Sequence, residues 1–158
     1  MTSPQPATTA PARPDDAAAG ALFDAVATEH ATIYGYGVVS AHSDPEINYL
    51  VSAAMREHRA RREAAIALLD EQGIAAPLPA AGYSLPIDVQ TPAEATNLAI
   101  TMEQDTATAW RAVVEQATDP AVRTFGVTAL TECAVLAARW RRVRGDTSVT
   151  VAFPGGAE

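Results

Sequence analysis

The chain has 158 residues and a mass of 16.5 kDa, the size of one domain with a short tail. With a single Cys it builds neither a disulfide framework nor a cysteine-based metal cluster. A formal charge of −8 and a pI near 4.8 argue against nucleic acid or an anionic membrane as partner.

No uncharged apolar run reaches the roughly 18 residues of a membrane span. The N-terminus lacks the basic and apolar regions of a secretory signal, so the expected location is cytoplasmic and no membrane partner is expected. Residues 1–15 are rich in Ser, Thr, Pro and Ala without apolar periodicity, which predicts a disordered tail.

The first helix is predicted from about Asp16 to Ala41, with Leu22, Val26, Ile33, Gly37 and Ser40 on one stripe. Gly35 and Gly37 each cost about 1 kcal/mol against Ala inside a helix. They imply a close approach by a partner helix or by another segment of the chain, and a homodimer is expected. Ser43-Asp44-Pro45-Glu46 has the form of a capping box with Pro in the first turn, and starts the second helix. Ile47, Leu50, Ala54, Ala64 and Leu68 form its stripe, and Gly73 ends it. Residues 73–91 hold too many Pro and Gly for a helix.

Thr91-Pro92-Ala93-Glu94 is a second capping box and opens the third helix, with Leu98, Met102, Ala109 and Val113 along it. Asp119-Pro120 ends that helix and caps the fourth, which carries Val122, Phe125, Ala129, Val135 or Leu136, and Val143. Gly145 closes it after an Arg-rich turn that complements the helix dipole. Residues 146–158 read as an extended C-terminal strap, with Phe153 packed on the bundle. The expected fold is all-α: a four-helix bundle over residues 16–145. The turns between helices one and two and between three and four are tight, so each pair is antiparallel. The connection between helices two and three, about 18 residues, spans roughly 60 Å when extended. A 27-residue helix is only about 40 Å long, so this segment can cross the whole bundle. Such a crossover is the ferritin-like arrangement.

Each predicted stripe contains one glutamate: Glu29, Glu57, Glu103 and Glu132. Counted from the turns at Asp44 and Asp119, Glu29 and Glu57 lie 15 and 13 residues away, and Glu103 and Glu132 lie 16 and 13 away. All four are therefore expected at one level, as in a di-metal carboxylate bundle. The segments Glu29-x-x-Thr32-x-x-x-Tyr36 and Glu103-x-x-Thr106-x-x-x-Trp110 also echo one another. Against a metal stand Ala60 and Val135, which occupy the positions three residues after Glu57 and Glu132 where ligand histidines belong. His30 and His58 follow their glutamates directly and remain possible ligands. Arg61, four residues after Glu57, is placed to fork onto the carboxylates where a metal ion would otherwise sit. Cys133 reads as a small core residue.

The segments Glu29–Gly37, Arg56–Arg61, Met102-Glu103-Gln104 and Ala152–Gly155, with the Ala-rich, Lys-free composition, resemble an uncharacterised actinobacterial family of ferritin-like domains. The resemblance covers roughly residues 18–155 and implies the ferritin-like fold and a modest oligomer, a dimer, with no activity attached. Two functions compete. The first is a metal-free, non-catalytic bundle with an interaction or small-molecule-binding role and no cofactor. The alternative is an iron or manganese carboxylate protein, an oxidase or metal handler, using Glu29, Glu57, Glu103 and Glu132. Arg61, Tyr36 and Trp110 support the site in either reading.

Overall fold

The computed structural model describes residues 10–156, and among them there are four long helices and no strands. Helix α1 spans Ala17–His42, α2 Asn48–Glu71, α3 Pro92–Gln116 and α4 Pro120–Arg144. The local signals act as side-chain chemistry dictates. Asp16 accepts from the Ala19 N–H at the start of α1, Thr91 and Glu94 close a capping box on α3, and Asp119 accepts from the Ala121 N–H before Pro120. Gly145 takes φ of 93° at the end of α4, a left-handed conformation that Gly adopts without steric cost.

The Ser43–Glu46 capping box does not form. Asp44 and Pro45 start a short 3-10 turn, Pro45–Ile47, without a side-chain cap, and α2 begins only at Asn48. The two-stage entry leaves the Ser43 hydroxyl buried without a partner.

Two core clusters stack along the bundle. One gathers Leu22, Val26, Leu69, Trp110, Val113 and Val122. The other gathers Val39, Leu50, Ala54, Leu98, Leu136 and Trp140. Residues early in α1 thus meet residues late in α2 and α3, so α1 runs antiparallel to both. Helices α2 and α3 run parallel, and α3 packs antiparallel along α4. Helix α1 lies between α2 and α3, and α2 touches α4 only lightly.

The connection from α2 to α3 passes over the outer side of α1. The Pro77 carbonyl meets His30, Tyr83 stacks on Tyr34 at 5.4 Å, and Leu85 lies beside Gly35. Of the described helices, only α4 passes a length-and-composition test for crossing a bilayer, and about a third of its apolar window is buried inside the bundle.

The predicted tail, 1–15, falls largely outside the described residues. The part that is described is tied back: Arg13 donates to Asp24 at 2.9 Å and lies against Gly20. At the other end, residues 146–156 form an extended segment along α3 and α4, with no strand. Phe153, expected to pack on the bundle, is 70 % exposed. The segment is seated instead by Arg141, whose Nη1 donates to the Val149 carbonyl at 3.1 Å, and by Gly155. Gly155 has φ of 72°, and a Cβ there would stand 2.6 Å from the Ala107 carbonyl.

Candidate functional site

Between the two apolar clusters lies a layer of buried polar groups. Helix α1 contributes Glu29, Thr32 and Tyr36, α2 His58 and Arg61, and α3 Glu103, Thr106 and Trp110. These positions follow from helical steps. In α2 the buried line runs Leu50, Ala54, His58, Arg61, Ala65, Leu69 in steps of three and four.

His58 is the centre. Its Nδ1–H donates to Glu29 Oε2 at 2.7 Å and its Nε2–H donates to Glu103 Oε1 at 2.9 Å. All three side chains are fully buried. Burial lowers the imidazole pKa, but the charges and hydrogen bonds of Glu103 and Glu29 outweigh it and raise the pKa to about 9. The ring is therefore an imidazolium at neutral pH.

Arg61 is the second buried cation. Its Nη1 donates to Glu29 Oε1 at 3.1 Å and its Nη2 to Glu132 Oε2 at 2.9 Å. Glu29 bridges the two cations. Burial would raise its pKa, but the His58 hydrogen bond and charge, the Arg61 charge and the Trp110 hydrogen bond bring it below the usual value. The charges of Glu29, Glu103, His58 and Arg61 sum to zero, which is what a dry interior tolerates.

The sequence echo has a spatial counterpart. Trp110 Nε1 donates to Glu29 Oε1 at 2.7 Å, and the Tyr36 hydroxyl donates to Glu103 Oε1 at 2.5 Å. Thr32 and Thr106 meet midway, Oγ1 to Oγ1, at 2.8 Å. Each helix thus sends its aromatic donor to the other helix's glutamate, about a local twofold axis. Trp140 Nε1 in turn donates to the Tyr36 oxygen at 2.8 Å. Burial and the Glu103 charge push the phenol pKa well up, so Tyr36 stays a donor.

The arrangement departs from the expected four-glutamate ring in particular ways. Glu29 and Glu103 are bridged by His58. Glu132 lies at the surface with its side chain 47 % exposed and reaches the core only through Arg61. Glu57 does not join: it is half-buried at the α2–α4 edge beside Arg61 and Glu132. One residue turns a helix by 100°, so His58 takes the inward place and Glu57 the edge. His30 lies outside the cluster and donates to the Pro77 carbonyl at 3.1 Å. Cys133 does face the layer. Its Sγ accepts from Arg61 Nη1 at 3.2 Å, and burial pushes its thiol pKa well above the usual value.

The polar groups of the layer are largely committed to one another. Among the described residues no three His, Cys, Asp or Glu side chains are arranged to hold one. Both His58 nitrogens lie within hydrogen-bond distance of carboxylates, Arg61 Nη1 also stands 3.2 Å from His58 Nδ1, and one oxygen of Glu29 is shared by Arg61 and Trp110.

Fold and site together define a class: an all-helical four-helix bundle with a buried ionic layer. The chain belongs to the family described as a domain of unknown function, DUF4439, which matches residues 21–158. It is similar to a conserved hypothetical protein from Mycobacterium tuberculosis solved by crystallography. The two are 55% identical, with a TM-score of 0.80, and the match covers 82% of this chain and 98% of that one. No functionally curated protein matches it.

Proposed function

We propose that this is a ferritin-like bundle in which the cations of His58 and Arg61 stand where a metal centre would be, and that it is a non-catalytic protein acting by binding. The single crossover and the parallel α2 and α3 support the ferritin-like assignment. The observation that carries the metal-free reading is His58: with Nδ1 and Nε2 both donating to carboxylates, the ring has no lone pair for iron or manganese. Metal analysis of protein purified without chelator, then incubated with iron(II) or manganese(II), tests it. Less than about a tenth of an equivalent is expected, because ligands must be deprotonated to bind. A stoichiometric metal overturns the reading. A homodimer belongs to the same proposal. Val127, Val135 and Val143 leave apolar surface on the outer face of α4, which supports self-association. Light scattering should give twice the 16.5 kDa chain mass, and a monomer at high concentration overturns this part.

A further inference from the structure

Three sides of the bundle are closed by helix packing, α1 on α2, α1 on α3 and α3 on α4, and the fourth, where α2 runs antiparallel beside α4, is open. Two cavities lie end to end along this seam. One, of about 260 Å³, is level with the ionic layer, between Glu57 and Ala60 of α2 and Thr128 and Glu132 of α4, with the buried Arg61 in its floor. The other, of about 530 Å³, lies toward the start of α2 and the end of α4, between Tyr49 and Ala53 on one side and Val135, Arg139 and Arg142 on the other. Tyr49 is 71 % exposed and Val135 45 %.

Charge separates along the seam. Both acids, Glu57 and Glu132, stand in the first cavity, and two bases, Arg139 and Arg142, in the second. Among the described residues Glu57, Arg139 and Arg142 have no ion pair, and Glu132 has only Arg61, whose charge Glu29 already shares. Glu132 is thus the one charge in excess once Glu29, Glu103, His58 and Arg61 cancel, and it is the end of the layer that reaches solvent, 47 % exposed. Glu132 and Arg139 lie seven residues apart on α4, two turns and about 10 Å along the axis, so they do not pair within one chain.

We propose, resting on the homodimer reading above, that a second copy of this chain closes the seam, turned end for end about a twofold axis that passes α4 level with Val135. The first cavity of each copy then faces the second cavity of the other. Arg139 of each copy comes down between Glu57 and Glu132 of the other, and Arg142 follows one turn further along. Two acids and two bases on one face, divided about its middle, make that face complementary to itself, as a twofold interface requires. Val135 meets its own counterpart at the axis, and Tyr49 falls over the first cavity, where Ala60 and Thr128 leave room for a ring. From Phe125 to Val143 the seam is about 27 Å long and two helices of about 10 Å wide. The pair would therefore cover roughly 1,100 Å², above the roughly 1,000 Å² that a specific interface needs. The second copy also completes the ionic layer, because its Arg139 gives Glu132 the cation that this chain does not supply.

The test is sedimentation equilibrium of the full chain, with circular dichroism to check that each variant keeps its helices. The wild type should be a dimer. Arg139→Glu sets acid against acid at both ends of the seam and should weaken the dimer about tenfold or more. Adding Glu57→Arg to the same chain should recover most of that loss. Val135→Asp brings two carboxylates together at the axis and should give a helical monomer. Val127→Asp, on α4 but bordering neither cavity, should leave the dimer intact. A wild-type monomer overturns the homodimer reading and the seam with it. A wild-type dimer that survives both Arg139→Glu and Val135→Asp, or that Val127→Asp dissociates instead, overturns the seam alone. So does a loss in Arg139→Glu that Glu57→Arg fails to recover.

Discussion

His58 is held between two carboxylates only while it carries two protons, and this makes alkaline pH the condition that tests it. The groups facing it are Glu29 and Tyr36 from α1, Arg61 on its own helix and Glu103 from α3, with Cys133 of α4 on the far side of Arg61. Its folded pKa, about 9, lies above an unfolded value near 6.5. The stabilisation is therefore complete below about pH 6.5 and is lost as pH rises through 9. A shift of this size corresponds to roughly 3 kcal/mol. Urea midpoints should fall between pH 7 and pH 10, and a flat profile would show that the ring is neutral in the folded protein. Arg61→Met should cost roughly 3–5 kcal/mol at neutral pH, because Glu29 is left with less compensation in the core. The Glu29 pKa is lowered, so this penalty should shrink as acid protonates it. Glu57→Gln, at the bundle edge, should stay within about 0.5 kcal/mol. The sequence was misleading at this last position for a simple reason. Arg56-Glu57-His58 offers a charged residue at each step, and a charged core hides the apolar stripe that ordinarily fixes a helix's phase. The anchors at Ala54 and Ala65 do recover the phase, since steps of three and four between them pass through His58 and Arg61.

At the scale of helices, Gly35 and Gly37 separate two effects that look alike in sequence. A Cβ on Gly35 would run into Met102 Sδ and touch Leu85 at 3.5 Å, so the space is already taken by α3 and the crossover of the same chain. Gly37 faces open space. Gly35→Ala should destabilise by about 1–3 kcal/mol, since Met102 must leave its place. Gly37→Ala should stabilise by about 0.5–1 kcal/mol through helix propensity. Thermal denaturation of the two variants checks both signs, and an equal effect would refute the packing argument. Helix ends set by Asp16, Thr91, Asp119 and Gly145 were legible because their chemistry is local. The crossover was legible as a long non-helical segment, and its alternation of Tyr83, Leu85, Ile87 and the buried Val89 marks an extended chain with one face inward. The Glu29–Tyr36 and Glu103–Trp110 echo was also visible. Its meaning, aromatic donors exchanged between helices, required the antiparallel placement of α1 on α3.

For the whole molecule, the C-terminal segment supplies one wall of a cavity of about 270 Å³ between α3 and α4, beside Glu103. Gly155 sits where a Cβ would strike the Ala107 carbonyl, in a backbone conformation that side chains rarely adopt. Gly155→Ala should weaken docking of the segment by about 1–3 kcal/mol. Limited proteolysis should then cut within 146–156 sooner, while circular dichroism of the helices is unchanged. Equal cleavage rates would show that Gly155 does not seat the segment. Nothing in the sequence placed the cavity, because its walls come from residues 103, 141 and 155, which only the completed bundle brings together. The apolar signal in Val149, Val151 and Phe153 pointed to packing of the largest side chain. The fold seats the chain through its smallest residue instead.

The ionic layer also divides unequally along the chain. At this level the α1–α2 hairpin carries Glu29, His58 and Arg61, one positive charge in excess, whereas the α3–α4 hairpin carries Glu103 and Glu132. Each hairpin alone has charge it cannot neutralise, and each supplies what the other lacks. The two are covalently linked by the crossover, whose residues 78–82 are exposed. If the chain is nicked there, the halves become counterions for one another. They should remain together as a non-covalent heterodimer, reassemble from separated peptides, and do so more slowly as salt screens the attraction.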